Sequence, residues 1–453
     1  MTPWIVKNIA FPLHEKLLQR PTIAYADDLE KSQWLSRQEI ETLQRQKLKQ
    51  LLQLAVEHTP WHAERIINSG IDLHPDSLPD FEDLARLPTM TKQDAQLNGA
   101  QMVWREVPGG AYQYTTGGSS GQPLIFYYGK WRQASDAAGR IRARRWWNID
   151  IGAKEVFLWG APIELGKTDL IKRLRDSIMN QVILNAFEMS PKNMKTYLQF
   201  LEKFQPSCIY GYASSLALLA KFAQVEKKHI RLPKLRGVFT TGEPLYPDQR
   251  KLIQETFQAP VANEFGSRDS GFIAHESPNE QMLLMSESNI LEILDQYGKP
   301  VKPGKIGEAV ITGLCSQAQP FIRYRTGDMI KATDNTCREG RGLHVIEEAL
   351  GRSTDFIIKK DGTIVHALAV IYVLRAIEGI EAFKIIQHTI SELEVQIVTN
   401  ALWQQSCRHQ IVDQLQQRLG DVDIMINQLD AISAEKSGKH RYVVSHVPLP
   451  TGI

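Results

Sequence analysis

From about residue 155 the chain settles into a repeating texture. Short runs rich in apolar residues end in glycine, and stretches with apolar residues at helical spacing follow them. Residues 155–159 precede Gly160, 207–210 precede Gly211, 235–241 precede Gly242 and 261–265 precede Gly266. Between them, residues 214–225 and 248–257 read as helices. Strands alternating with helices predict parallel β-α-β units. Right-handed crossovers bring the strand ends to one edge of such a sheet, and ligands bind in a crevice outside those ends. Gly160, Gly211, Gly242 and Gly266 are therefore expected at one cleft.

Upstream the pattern is helical. Leu43, Leu48, Leu51, Leu52 and Ala55 recur at helical spacing over residues 39–58, with Ser36 placed as an N-cap. Residues 4–18 form an amphipathic segment; Trp4, Ile5 and Phe11 could touch a membrane surface, but packing on the chain's own domain is the ordinary reading. Around Gly351 the texture changes again. Residues 360–363 carry a hairpin signal, and helices (368–377, 403–419) alternate with short strands (383–387, 393–398). The pattern divides the chain into a large α/β domain, residues 1–350, and a small α+β domain, residues 351–453.

Composition narrows the function without fixing it. The chain has 453 residues, 43% hydrophobic and 23% charged, which suits globular domains and excludes wholesale disorder. Lys plus Arg is 53 against 51 Asp plus Glu, a net charge of +2, too even for a protein that neutralises a nucleic-acid backbone. Cys208, Cys315, Cys337 and Cys407 lie far apart with no C-x-x-C pair, so neither a disulfide framework nor a closed zinc site is expected. His275 lacks the cysteine companions of a zinc cluster and is expected to be packed rather than ligating. The longest apolar run, residues 367–374, is far short of a bilayer span, and the N-terminus has no signal-peptide pattern. The expectation is a cytoplasmic protein with no transmembrane segment.

Several segments carry candidate chemistry. Thr115, Thr116, Gly117, Gly118, Ser119, Ser120 and Gly121 leave backbone N–H groups unshielded, so a phosphate could approach closely. Gln122 stands where a Walker loop has lysine, and residues 124–128 read as strand; a plain hairpin loop is the alternative. Gly242, Glu243 and Pro244 close a strand end, where a purine could lie flat on backbone or a structural turn could form. Phe265, Gly266, Ser267, Arg268 and Asp269 follow another strand end. Asp269 could hold Mg²⁺ through oxygen, or could merely pair with Arg268. Residues 323–328 end a β-type run in a tight turn whose Asp328 could accept two ribose hydroxyls. Residues 435–441 are a cationic stretch, either a solvated tail or the source of the positive charge that the glycine-rich loop lacks. The run Arg140, Arg142, Arg144, Arg145, Trp146, Trp147 reads as a basic helix face with buried tryptophans rather than a polyanion site.

In order and spacing these segments, with Gly351-Arg352 between the last two, resemble the signature series of the adenylate-forming superfamily. Within it, residues 55–65 and 87–92 look like the opening motifs of the phenylacetate–coenzyme A ligases and the CapK group of capsule-biosynthesis proteins. The resemblance implies the adenylate-forming fold with a mobile C-terminal lid. It implies ATP and Mg²⁺ as cofactors, a small-molecule carboxylic acid as substrate and coenzyme A as acceptor, and it is compatible with a homodimer. It makes residues 115–121 the phosphate loop and residues 242–244 the adenine cradle. Asp269 becomes the Mg²⁺ ligand, Asp328 the ribose ligand, Arg352 a neighbour of ribose or phosphate, and Lys439 the lysine that meets the carboxylate and the α-phosphate. Three positions depart from the family's pattern: Gln122 for lysine, Asp269 for glutamate and Thr354 for the acidic hinge residue. The implied activity is formation of an acyl-adenylate and transfer of the acyl group, with a place in surface-polysaccharide synthesis suggested by the CapK likeness. Transfer of AMP to a hydroxyl, as in coenzyme F390 synthetases, and nucleotide binding without catalysis stand as alternatives. Aromatic residues near the cleft (Trp159, Tyr210, Tyr212) hint at an aromatic or apolar acid.

Overall fold

The computed structural model describes residues 1–115, 124–159, 174–186, 189, 191–352, 356–361, 364–366, 368–432 and 441–447. Its centre is an eight-stranded sheet in the order β13-β9-β8-β7-β6-β5-β3-β4. The strands are β3 (Glu155–Trp159), β4 (Gln181–Asn185), β5 (Cys208–Gly211), β6 (Gly237–Thr241), β7 (Val261–Ser267), β8 (Gly271–Glu276), β9 (Met282–Leu284) and β13 (Val345–Ile346). The four runs read from the sequence are thus β3, β5, β6 and β7; they are neighbours and mutually parallel. Their in-register residues share a face. Val156, Leu158, Ile209, Val238 and Val261 pack under the helices Pro191–Phe204, Ala213–Val225 and Pro247–Phe257. Phe157, Tyr210, Phe239 and Ala262 form the opposite face, turned toward the segment that follows the helix Lys130–Arg145.

Local sequence explains the flanking elements. Ser36 and Glu39 make a reciprocal capping box that starts the helix Arg37–His58, and Ile40, Leu48, Leu51, Leu52 and Ala55 line its buried stripe. Residues Pro3–Leu17 are helical throughout, with a π-helical turn at Val6–Ala10. Val6 is buried in the chain's own core, while Trp4, Ile9, Leu13 and Leu17 stay exposed.

A second sheet, β10-β11-β12-β14, consists of β10 (Asn289–Leu294), β11 (Ile306–Gly313), β12 (Tyr324–Lys331) and β14 (Glu348–Arg352). The turn expected to end a strand at residues 326–328 is instead a bulge within β12, since Arg325 pairs with Val310 and Met329 with Glu308. Gly327 sits there at φ +76°, a conformation that side chains disfavour. Likewise β7 does not stop at Phe265 but runs to Ser267 and folds back antiparallel onto β8. Toward the C-terminus, β15 (Phe356–Ile358) and β16 (Ile364–His366) make the expected hairpin. The sheet β19-β18-β17-β20 packs against the helices Leu368–Arg375 and Cys407–Leu419. Its strands are β17 (Ile380–Thr389), β18 (Glu392–Thr399), β19 (Asp423–Gln428) and β20 (Val443–Ser445). Among the described residues no helix is long and apolar enough to cross a membrane.

The basic run on the helix Lys130–Arg145 is internally neutralised. Arg142 pairs with Glu287, Arg144 with Glu155, Arg145 with Glu30 and Asp150, and Arg140 with Glu264. Arg142 and Glu287 have side chains 0% and 1% exposed. Removing one member leaves an uncompensated buried charge, so Glu287→Ala should lose about 3–5 kcal/mol in urea unfolding, and Arg142→Met/Glu287→Leu should recover most of it.

His62 and His275 are fully buried. Nε2 of His62 lies 2.9 Å from the Pro320 carbonyl, and Nδ1 lies 3.0 Å from Nη1 of Arg65. These partners assign the proton to Nε2 and use both nitrogens of the neutral ring. Burial holds His62 down to about 3 and His275 down to about 4. The unfolded chain therefore binds more protons than the folded one below about pH 6.5. Stability is full above that value and should fall on acidification toward pH 4, by up to about 1.4 kcal/mol per pH unit for each ring. Urea midpoints at pH 7 and pH 5 measure this, and His62→Gln should flatten the slope.

Candidate active site

Because β3, β5, β6 and β7 are parallel and in register, their carboxyl ends line one edge. Leu158 pairs with Gly211, Gly211 with Thr240, and Thr241 with Glu264. Trp159, Tyr212, Gly242 and Phe265 follow directly at that edge. Tyr212 stacks on Trp159 with ring centroids 4.4 Å apart, and Trp159 stacks on Tyr210 at 5.8 Å. Oε2 of Glu243 accepts from the Ser214 N–H at 2.9 Å. Part of the expected adenine cradle thus also caps the helix Ala213–Val225, where a carboxylate favours the positive helix end.

The β7–β8 turn carries the next group. A Cβ on Gly266 would stand 2.5 Å from the Gly271 carbonyl oxygen, so only glycine lets the two strands close. Arg268 does not pair with Asp269. Its Nη1 donates to the Thr115 carbonyl at 3.2 Å, and its own carbonyl accepts from Nη2 of Arg132 at 3.1 Å. The last described residue before the glycine-rich loop is thereby held against the 265–269 segment. Asp269 accepts from Ser267 Oγ at 2.5 Å on Oδ1 and from Tyr324 Oη at 2.7 Å on Oδ2.

Tyr324 opens β12, whose bulge displays Asp328. Glu308 pins that bulge, accepting from the Gly327 N–H at 3.1 Å and from Arg325 Nε at 2.8 Å. Asp328 lies opposite Arg352 in the pairing of β12 with β14. Thr115, Arg268, Asp269, Tyr324 and Asp328 therefore form one connected set, joined to the strand edge through β7. Thr116, Gly117, Gly118, Ser119, Ser120, Gly121, Gln122, Gly160, Thr354 and Lys439 lie outside the described residues. Sequence reasoning missed Arg132 and Tyr324, although Tyr324 stands inside a segment it had singled out.

Mg²⁺ suits this donor set. The ion commonly takes one or two protein carboxylates and fills its remaining positions with water and substrate phosphate. Asp269 presents hard oxygen donors whose orientation two hydroxyls fix. His275, by contrast, is buried in β8 with Nδ1 against the Glu276 carbonyl at 2.8 Å.

Residues 357–446 match the family model of the CapK C-terminal domain. Protein CapK of Staphylococcus aureus is 20% identical over 456 residues, covering 98% of each chain. The phenylacetate–coenzyme A ligase of Thermus thermophilus is 24% identical over 390 residues, 80% of this chain and 82% of that one. Over most of its length the chain is thus similar to CapK and to the phenylacetate–coenzyme A ligases. Its fold is shared by 2-hydroxyisobutyryl-CoA ligase solved in the postadenylation state with R3-HIB-AMP, at a TM-score of 0.73 and 21% identity over 92% of this chain and 91% of that one. Among the described residues, Gly242, Glu243 and Phe265 stand at the sheet edge that the strand pattern predicts.

Proposed function

We propose that the protein is an AMP-forming acid ligase that converts a carboxylic acid to its acyl-adenylate with ATP and Mg²⁺ and passes the acyl group to coenzyme A. The observation that carries this reading is the linked set Thr115–Arg268–Asp269–Tyr324 at the edge of the parallel sheet, in the order that the superfamily's motifs have along the chain.

The chemistry sets clear demands. Attack of a carboxylate on the α-phosphate brings two anions together, so the site must supply positive charge and aligned donors where negative charge develops. Bound Mg²⁺ supplies Lewis acidity to the phosphate oxygens. The chain's part is to hold that ion through Asp269, to seat phosphate on residues 115–121, and to fix the ribose hydroxyls with Asp328 beside Arg352. Holding the acid in line with the departing pyrophosphate supplies the entropic share of the rate. Lys439 delivers the remaining cation. It is three residues along the chain from Tyr442, a span of at most about 11 Å. Tyr442 in turn lies 6.0 Å from the Tyr246 ring, just beyond residues 242–244. On this reading residues 1–350 bind ATP and acid, residues 351–453 act as the lid, and the enzyme works in the cytoplasm.

Acid-dependent exchange of pyrophosphate into ATP tests the proposal. Lys439→Ala should lower exchange by roughly 10²–10³-fold with the fold intact by circular dichroism, and Asp269→Asn should lower it and raise the Mg²⁺ concentration needed. Unchanged exchange in Lys439→Ala would remove that lysine from the mechanism. Absence of exchange across a broad acid panel would remove the ligase reading.

A further inference from the structure

Strands buried in a parallel sheet are ordinarily lined with apolar side chains. Here the face of β3, β5 and β7 turned toward the helix Lys130–Arg145 carries Glu155, Tyr210 and Glu264, exposed by only 7%, 7% and 5%. Against that face lies a cavity of about 580 Å³, within the range of small-molecule sites. Trp159 and Tyr210 form its end at the active-site edge, and Arg140 and Arg144 form part of its wall.

The polar groups here are only partly satisfied by one another. Glu264 accepts from Tyr210 Oη at 2.7 Å. Arg140 Nε stands 3.5 Å from the same carboxylate, longer than a good hydrogen bond, and has no hydrogen-bond partner. No hydrogen bond from the Nη atoms of Arg140 is found among the described residues. Its side chain is 43% exposed and lines this partly open cavity, so a ligand there can reach the guanidinium. The Phe272 ring, 5.3 Å away, already occupies one face of the guanidinium. An apolar acid filling this space would strip water from a charged donor and give nothing back, which is costly.

Charge decides between kinds of polar ligand. Arg144 is neutralised by Glu155, Arg140 by Glu264, Arg20 by Glu15 and Arg175 by Asp176. Among the described residues the lining offers donors but no surplus cation for a second anion.

Resting on the ligase reading above, we propose that the acid activated here carries uncharged oxygen groups, hydroxyl or carbonyl, beyond its reacting carboxylate. The Arg140 guanidinium, backed by Glu264 and Tyr210, recognises them. This replaces the aromatic or apolar acid that the sequence suggests: Tyr210 and Tyr212 each stack on Trp159.

The test compares kcat/KM for pyrophosphate exchange with 3-hydroxybutanoate and gluconate against butanoate, phenylacetate and succinate, in the wild-type protein, Arg140→Met and Tyr210→Phe. The better hydroxylated acid should exceed the apolar acids and succinate by about tenfold to a hundredfold, and Arg140→Met should shrink that ratio to about threefold or less. Tyr210→Phe removes a single oxygen and should shrink it several-fold even where Arg140→Met fails to fold. A preference for phenylacetate or butanoate, or a ratio unchanged in both variants, overturns the inference; a preference for succinate overturns the uncharged class. Titration calorimetry with the same acids in the absence of ATP separates this outcome from failure of the ligase reading. Binding of hydroxylated acids that weakens in Arg140→Met, without exchange by any acid, keeps the cavity assignment and sinks only the ligase.

Discussion

The hydrogen bond from Tyr324 Oη to Asp269 Oδ2 joins two sheets that otherwise carry separate parts of the site. Asp269 stands at the turn between β7 and β8 of the eight-stranded sheet, and Tyr324 opens β12 of the second sheet. Tyr324 is 2% exposed, and its ring meets Phe321 edge-on at 4.9 Å, so the hydroxyl approaches from a packed, immobile direction. Because Asp328 follows on the same strand, aiming the Asp269 carboxylate also sets its position relative to Asp328. A site for phosphoryl chemistry depends on such fixed spacing, since charge placed an ångström away from where it develops does little for the transition state.

The sheet was legible in the sequence because parallel strands covered on both faces read as short apolar runs, and the glycines after them mark where the chain must turn. The capping box at Ser36 was legible because all of its chemistry lies within four residues. The bulge at residues 326–328 was not. Thr-Gly-Asp is locally a turn, and what makes it a bulge is Glu308 on the neighbouring strand, which takes the Gly327 N–H and Arg325. The same distance effect hid the roles of the arginines. A window around residues 140–145 shows a basic patch, but Glu30, Glu264 and Glu287, which neutralise it, lie far away in sequence. The 323–328 segment was singled out for its aspartate, whereas the tyrosine in it acts through a partner 55 positions away.

Those internal ion pairs need a reason beyond stability, because burying a charge pair recovers little more than its desolvation cost. Arg142 with Glu287 has a structural one: the pair ties the helix Lys130–Arg145 to the segment between β9 and β10, and Ser32 adds a third element by donating to Glu287 at 2.7 Å. Arg140 with Glu264 is different, being long, incomplete and open on one side to a cavity. A pair built only to hold helix to sheet would be expected to close to hydrogen-bonding distance as Arg144 and Glu155 do.

Strength also distinguishes the contact between the C-terminal sheet and the rest of the chain. Arg375 lies 5.1 Å from the ring centres of both Tyr246 and Tyr442 and pairs with Asp248, whose side chain is 46% exposed. The Tyr246 ring is buried and packs with Tyr442, so the cation there is worth about 2 kcal/mol, and the half-exposed ion pair no more than about 1 kcal/mol. Contacts of that size hold an orientation without locking it. The proposed lid needs such a joint, because Lys439 must meet the nucleotide for the first half-reaction and withdraw so that a thiol can enter for the second. A broad apolar seam at Tyr442 would fix the lysine in place and stop the enzyme after one adenylate. The three-residue tether between Lys439 and Tyr442 links the proposed catalytic cation to this breakable junction.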